Sequence, residues 1–230
     1  MMWANQHHGR GACNVSTRYN HHMLPLFAQY DDLPQLRAAC LACTNCPLHQ
    51  TRDRVVFGAG HPQASLMLIG QGPSQTDDRT GRPYSGPAGD YLDKALAQAD
   101  LTRDSIWITN VTKCLASKTG KDGRPELRPP RKAEMAACRP WLEEELILIQ
   151  PAAIVAIGGP AAQALIDAKF NLTEQRGRWY DGPGGIPTLA IYQPTYLVRL
   201  SKWDRKKAVS GWRELVADMR SAAQRVIDAQ

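Results

Sequence analysis

The chain has 230 residues, a hydrophobic fraction of 43% and a formal charge of +6. That length and composition fit one large α/β domain or two small ones with a sizeable core, and exclude a disordered or fibrous chain. A basic balance favours a polyanionic partner. No apolar run reaches the ~18 residues needed to span a bilayer and no signal peptide opens the chain, so a cytoplasmic protein without a membrane partner is expected.

In chain order, residues 1–30 lack periodicity and hold four of the six histidines. They read as a loosely ordered extension before a single domain over 31–230. A short helical pattern from Leu33 to Cys40 leads into Cys40-x2-Cys43-x2-Cys46, followed far downstream by Cys114 and Cys138. In a reducing compartment such groupings point to metal rather than disulfides, with an iron–sulfur cluster or tetrahedral zinc both open.

Four short apolar runs, SLMLIG (65–70), SIWITN (105–110), AAIVAIG (152–158) and IPTLAIY (186–192), read as buried parallel strands. Helical patterns lie between them over 88–99, 131–149 and 159–168, and a long amphipathic helix closes the chain over 204–228. Alternation of this kind implies a three-layer α/β/α sandwich around a central, mainly parallel four-stranded sheet. Its chemistry is expected at the carboxyl ends of the strands.

Each strand exit is a candidate. The first carries Gly70-Gln71-Gly72-Pro73-Ser74-Gln75 and then Asp77, Asp78, Tyr84 and Ser85, a turn that lets backbone amides approach a ligand. Its glycine spacing matches neither a dinucleotide nor a phosphate loop. The second ends in Asn110, whose amide can both donate and accept, as reading a base edge requires. The third, Gly158-Gly159-Pro160, reads as a structural strand-to-helix turn. The fourth is Gln193-Pro194-Thr195, followed by Leu197, Val198 and Arg199.

This ordered set resembles the iron–sulfur family 4 of the uracil-DNA glycosylase superfamily. The matching segments are the Cys43–Cys46 pair, Val55-Val56-Phe57-Gly58-Ala59-Gly60, Gly70–Ser74, Gly81-Arg82-Pro83-Tyr84-Ser85-Gly86, Thr109–Cys114, Cys138–Leu142 and Gln193-Pro194-Thr195. The resemblance implies a [4Fe–4S] cluster on Cys43, Cys46, Cys114 and Cys138, leaving Cys13 and Cys40 over. It also implies a monomeric enzyme that flips a nucleotide out of DNA and hydrolyses its N-glycosidic bond.

Carried over, Tyr84 stacks on the base and Asn110 reads its edge. Gln71, Gly72, Ser74, Gln75 and Ser85 line the pocket, and Gln193 stands where the family has a leaving-group histidine. Asp77 or Asp78 positions the water, Leu197 and Val198 wedge into the stack, and Arg199 meets a phosphate. Segment 117–131, basic and long, reads as a DNA-facing or solvated loop.

The sequence departs from the family at Gln71, Ser74, Tyr84, Ser85 and Gln193, all pocket positions by analogy. Two functional readings follow: a glycosylase for uracil or for a hydroxymethylated or glucosylated pyrimidine such as phage DNA carries, or a catalytically silent iron–sulfur DNA-binding module. A zinc-dependent nuclease is disfavoured, since no His/Asp ligand spacing occurs in the core.

Overall fold

A computed structural model describes residues 24–25, 28–121 and 125–229. The histidine-rich start and Cys13 lie outside them. The elements are α1 (Leu33–Leu41), β1 (Ala59–Gly60), β2 (Leu66–Gly70), α2 (Gln75–Thr80), α3 (Pro87–Ala97) and β3 (Trp107–Asn110). There follow β4 (Ser117–Thr119), β5 (Pro125–Leu127), α4 (Lys132–Ile149), β6 (Ala153–Ile157), α5 (Gly159–Leu165) and α6 (Leu172–Gln175). The chain then forms β7 (Trp179–Asp181), β8 (Pro187–Ile191), α7 (Pro194–Leu200) and α8 (Arg205–Ile227).

The main sheet runs β1-β3-β2-β6-β8-β7. Its inner four strands are the four expected ones and pair in parallel. It has six strands rather than four, because β1 and β7 add antiparallel edges. Those edges are two and three residues long, too short for a period-2 pattern to register in the sequence.

Side chains along the inner strands alternate between two apolar layers. Met67, Ile69, Ile154 and Ala156 pack with Leu36, Leu142, Leu146 and Leu165 on one face. Leu66, Leu68, Val155 and Ile157 pack with Leu92, Leu96, Leu215 and Met219 on the other. The expected α/β/α sandwich is therefore present. No helix among the described residues is long and apolar enough to cross a membrane.

Segment 117–131 is not a plain loop: β4 and β5 pair as a hairpin, with Ser117 opposite Leu127. Arg128 binds both oxygens of Glu134 at 2.7 and 2.6 Å, and Lys118 pairs with Glu126 at 3.0 Å. Part of its positive charge is thus compensated within the fold.

Candidate functional site at the carboxyl edge of the sheet

Strands β2 and β3 end side by side, with Gly70 paired to Asn110. Asn110 is 1% exposed, and neither Oδ1 nor Nδ2 of its side chain has a hydrogen-bond partner. A buried amide left unpaired costs ~1–3 kcal/mol and so calls for an explanation.

Gly70 explains how the neighbours fit. A Cβ there would lie 2.2 Å from Tyr84 Oη and 2.4 Å from Asn110 Oδ1. Only glycine lets both side chains close over the strand end. Tyr84 is buried and sits at φ 51°, a backbone conformation costly for a non-glycine residue. Arg103 holds it there by donating to the carbonyls of Pro83 and Tyr84 at 3.2 and 2.6 Å. Burial, then the nearby Asp77 charge, pushes the Tyr84 phenol pKa up, so the hydroxyl stays protonated.

The loop after β2 is organised differently from the sequence expectation. Asp77 Oδ2 accepts from the Ser74 amide at 2.9 Å, and its Oδ1 accepts from the Ser85 amide and hydroxyl at 2.7 and 2.9 Å. Ser74 Oγ in turn accepts from the Asp77 amide, closing a capping box at the start of α2. Asp78 accepts from the amides of Asp53 and Arg54 at 2.9 and 3.3 Å. Burial raises the Asp78 pKa against those bonds.

Both carboxylates therefore tie backbone together, which is what their observed contacts show. Ser74 and Ser85 are likewise committed to the loop, with Ser85 Oγ also 2.7 Å from Thr80 Oγ1. Gln75 is an exposed first residue of α2. Gln71 and Gly72 are half-buried. The Gln71 carbonyl accepts from Thr112 N and Oγ1 at 3.0 and 3.2 Å, which zips this loop to the exit of β3.

Gln193 enters from the other side. It precedes α7, makes no side-chain cap to that helix, and is half-buried. Gly158, at φ 88°, would place a Cβ only 3.2 Å from Gln193 Cβ, so this glycine makes room for the glutamine. Since β8 is three strand steps from β3, Gln193 approaches across roughly 14 Å of sheet edge.

Behind Gln193 the guanidinium of Arg176 sits 4.6 Å from the centroid of the Tyr192 ring, and Tyr192 packs on Tyr196 at 5.7 Å. Arg176 is anchored by Asp218 at 2.7 Å and by Glu214. Nothing local in the sequence signals this brace.

Leu197 corrects the expected wedge. It is 0% exposed and packs against Gly211 of α8. Val198 is half-buried, while Tyr196 (42% exposed) and Arg199 face solvent. The helical turn of α7 put the wrong face outward in the sequence reading.

On the opposite face, Cys43, Cys46, Cys114 and Cys138 line one cavity, and Cys40, left over in the sequence, lines it too. Backbone and side-chain donors aim at the sulfurs. Lys113 N reaches Cys138 Sγ at 3.2 Å, Trp141 Nε1 reaches Cys43 Sγ at 3.3 Å, and Arg52 Nη1 reaches Cys114 Sγ at 3.1 Å. Burial pushes the Cys138 thiol up to about 12 and raises Cys40 and Cys114, with Arg52 opposing at Cys114.

Such thiols ionise when a metal displaces their protons. Cys40 and the four thiols line one space, and hydrogen-bond donors aimed at sulfur suit anionic, metal-bound thiolates.

A buried ion pair joins the two faces. Lys113 Nζ donates to Glu145 Oε2 at 2.5 Å, to Thr109 Oγ1 at 2.6 Å and to the Asn110 carbonyl at 2.9 Å. Glu145 Oε1 accepts from the Gly58 amide at 3.1 Å, and a Cβ on Gly58 would lie 2.3 Å from that oxygen. Lys113 thus borders the cysteine cavity and holds the backbone of Asn110. By sequence Lys113 is one of the cations around the cysteines, suited to a thiolate cluster or a DNA-facing surface; the ion pair is not readable there because Glu145 lies 32 positions away.

Residues 57–216 match the family model described as the uracil DNA glycosylase superfamily. The chain is 36% identical over 158 residues to a type-4 uracil-DNA glycosylase of Thermotoga maritima, covering 68% of this chain and 78% of that one. It is 33% identical over 155 residues to one from Pyrobaculum aerophilum (66% and 75% covered). Over 192 residues it is 30% identical to one from Sulfurisphaera tokodaii (77% and 83% covered).

Proposed function

The chain belongs to the uracil DNA glycosylase superfamily, and from that premise we propose that it excises uracil from DNA by hydrolysing the N-glycosidic bond of a flipped-out deoxyuridine. The observation that carries this reading is the buried, unpartnered amide of Asn110 beside Tyr84. An amide pairs with the uracil edge by donating from Nδ2 to O4 and accepting the N3 proton at Oδ1. The Tyr84 ring offers the base a stacking surface.

As the C1′–N1 bond breaks, its electron pair passes to the base, water adds at C1′, and the proton the water loses is balanced by protonation of the departing base. Donors aimed at the base oxygens stabilise the leaving anion. In this reading Gln193 supplies a neutral donor from one side, and backbone amides at Gln71 and Gly72 supply others. With Asp77 and Asp78 bound to backbone amides, the chain lowers the barrier mainly at the leaving group.

Cys43, Cys46, Cys114 and Cys138 are the residues we assign to a [4Fe–4S] cluster. Bound there, it would supply iron–thiolate bonds that tie the turn after α1, the exit of β3 and helix α4 together. Cys40 is a further thiol of the same cavity. A broad absorbance band near ~400 nm is expected of the purified protein, and a colourless protein carrying zinc overturns the assignment.

Uracil is favoured over a hydroxymethylated or glucosylated pyrimidine because the hydroxyls of Ser74 and Ser85, which could otherwise meet a polar substituent, bind Asp77. The test is incubation with DNA containing uracil, hydroxymethylcytosine or glucosylated cytosine, followed by detection of abasic sites. Excision of uracil is expected. Release of only a modified base overturns the substrate, and release of none with DNA binding intact leaves the silent module.

A further inference from the structure

A second basic and aromatic surface lies away from the base pocket. Helices α3 and α7 both start at the carboxyl edge, three residues after Tyr84 and directly after Gln193 respectively, and they pack on each other. Where they meet the first turns of α8 there is an open groove of about 330 Å³. It is lined by Tyr91, Lys94, Ser201, Arg205, Val209 and Trp212. Tyr91 and Trp212 form its aromatic wall, edge to face with centroids 4.9 Å apart.

Next to the groove runs Arg199-Leu200-Ser201-Lys202-Trp203-Asp204-Arg205-Lys206-Lys207, five cations against one carboxylate. The carboxylate is already used: Asp204 caps α8 through the Lys207 amide and pairs with the Lys207 side chain at 3.6 Å. In the middle stands Trp203, 74% exposed. Its ring is therefore open to contact on a surface of cations.

We propose that this surface is a track for the single-stranded DNA flanking the excised nucleotide, with Trp203 and the Tyr91–Trp212 wall stacking unpaired bases and Lys94 and Arg205 meeting phosphates. Two independent properties select this occupant. The charge is complementary to a phosphate backbone, and interleaved aromatics offer sequence-tolerant stacking that paired bases in a duplex cannot use.

The surface is also continuous with the edge where the base is read. From Pro87 to Lys94, α3 rises about 10 Å, or about three nucleotides at ~3.4 Å per nucleotide of a stacked strand. This inference deepens the glycosylase reading and rests on it for the position of the flipped base.

The test uses the full-length protein and a uracil-free single-stranded 16-mer of mixed sequence, with a matched duplex alongside. Binding is read by fluorescence anisotropy across salt concentrations. Trp203→Ala is expected to weaken single-strand binding about tenfold and to leave uracil excision from a duplex unchanged. Lys94→Glu with Arg205→Glu is expected to weaken it further and flatten the salt dependence by about 1.4 in log–log slope.

Trp203, Lys94 and Arg205 are exposed, so these variants keep their fold. Unchanged single-strand affinity in both variants overturns the track. Equal losses on the duplex overturn its single-strand character. If no protein excises uracil while the single-strand losses appear as expected, the track stands and the glycosylase reading falls.

Discussion

Lys113 Nζ lies 2.5 Å from Glu145 Oε2, and the two side chains are 1% and 0% exposed. Each charge is compensated by the other and by a ring of hydrogen bonds: the Thr109 hydroxyl, the Gly58 amide and the Trp107 indole donate to Glu145, and the Thr109 hydroxyl and the Asn110 carbonyl accept from Lys113. Removing one partner strands a buried charge, which typically costs ~3–5 kcal/mol. Lys113→Met is expected to lose stability on that scale in denaturant unfolding followed by tryptophan fluorescence. The double variant Lys113→Met, Glu145→Leu is expected to regain at least half. A double variant no more stable than the single one would remove the ion pair as the cause.

Asn110 sets function against stability. Its unpaired amide is a standing cost of ~1–3 kcal/mol, so Asn110→Leu is expected to leave the melting temperature unchanged or higher. Uracil excision by the same variant is expected to fall by a factor of about 10² or more, since a donor to the base is lost. A variant that melts much earlier would show that the amide serves the fold instead.

Gln193 is a weaker donor than a charged imidazole would be. Gln193→His is expected to raise the single-turnover excision rate, by up to about 10², and Gln193→Ala to lower it. Equal rates in all three proteins would take this side chain out of the reaction.

The geometry of α7 separates two neighbouring residues. Arg199→Ala, at an exposed position, is expected to weaken DNA binding and leave the melting temperature unaltered. Leu197→Ala removes a fully buried side chain and is expected to cost ~2–5 kcal/mol. A Leu197→Ala protein of parental stability but poor DNA binding would restore the wedge role that the burial of this residue argues against.

Asp218 provides a pH test of the brace behind Gln193. Burial, opposed by Arg176, raises its pKa from 3.8 to about 6. The folded state therefore favours the protonated acid, a stability contribution fully present below 3.8 and lost as pH rises through about 6. Asp218→Asn mimics the protonated form at every pH. The melting temperature of the variant minus that of the parent is expected to become more positive from pH 4 to pH 7. A difference that stays flat or falls would mean that Arg176 outweighs burial.

Much of the architecture was legible locally. Strand runs such as SLMLIG and AAIVAIG and the 3.6-residue pattern of 204–228 carry their own signals, and β2, β6 and α8 fall within a residue of those limits. Gly158 was legible as a turn for the same reason, because its positive φ is a property of one residue. The order of cysteines, Asn110 and the Gln193 loop was enough to name the family.

Side-chain roles were not legible in that way, since a carboxylate, hydroxyl or leucine takes its role from whichever group lies opposite it in space. Asp78 meets amides 25 and 24 positions away, and Lys113 meets a carboxylate 32 away. Asp77, with its partners close in sequence, still depended on how the loop folded to bring Ser85 back to it. Periodicity and turn chemistry are local, so the layered sheet, the strand exits and the residue types delivered to them can be read along the chain. Which of those residues stay unpaired and available follows from hydrogen-bond partners and burial, and these are set by contacts between distant segments.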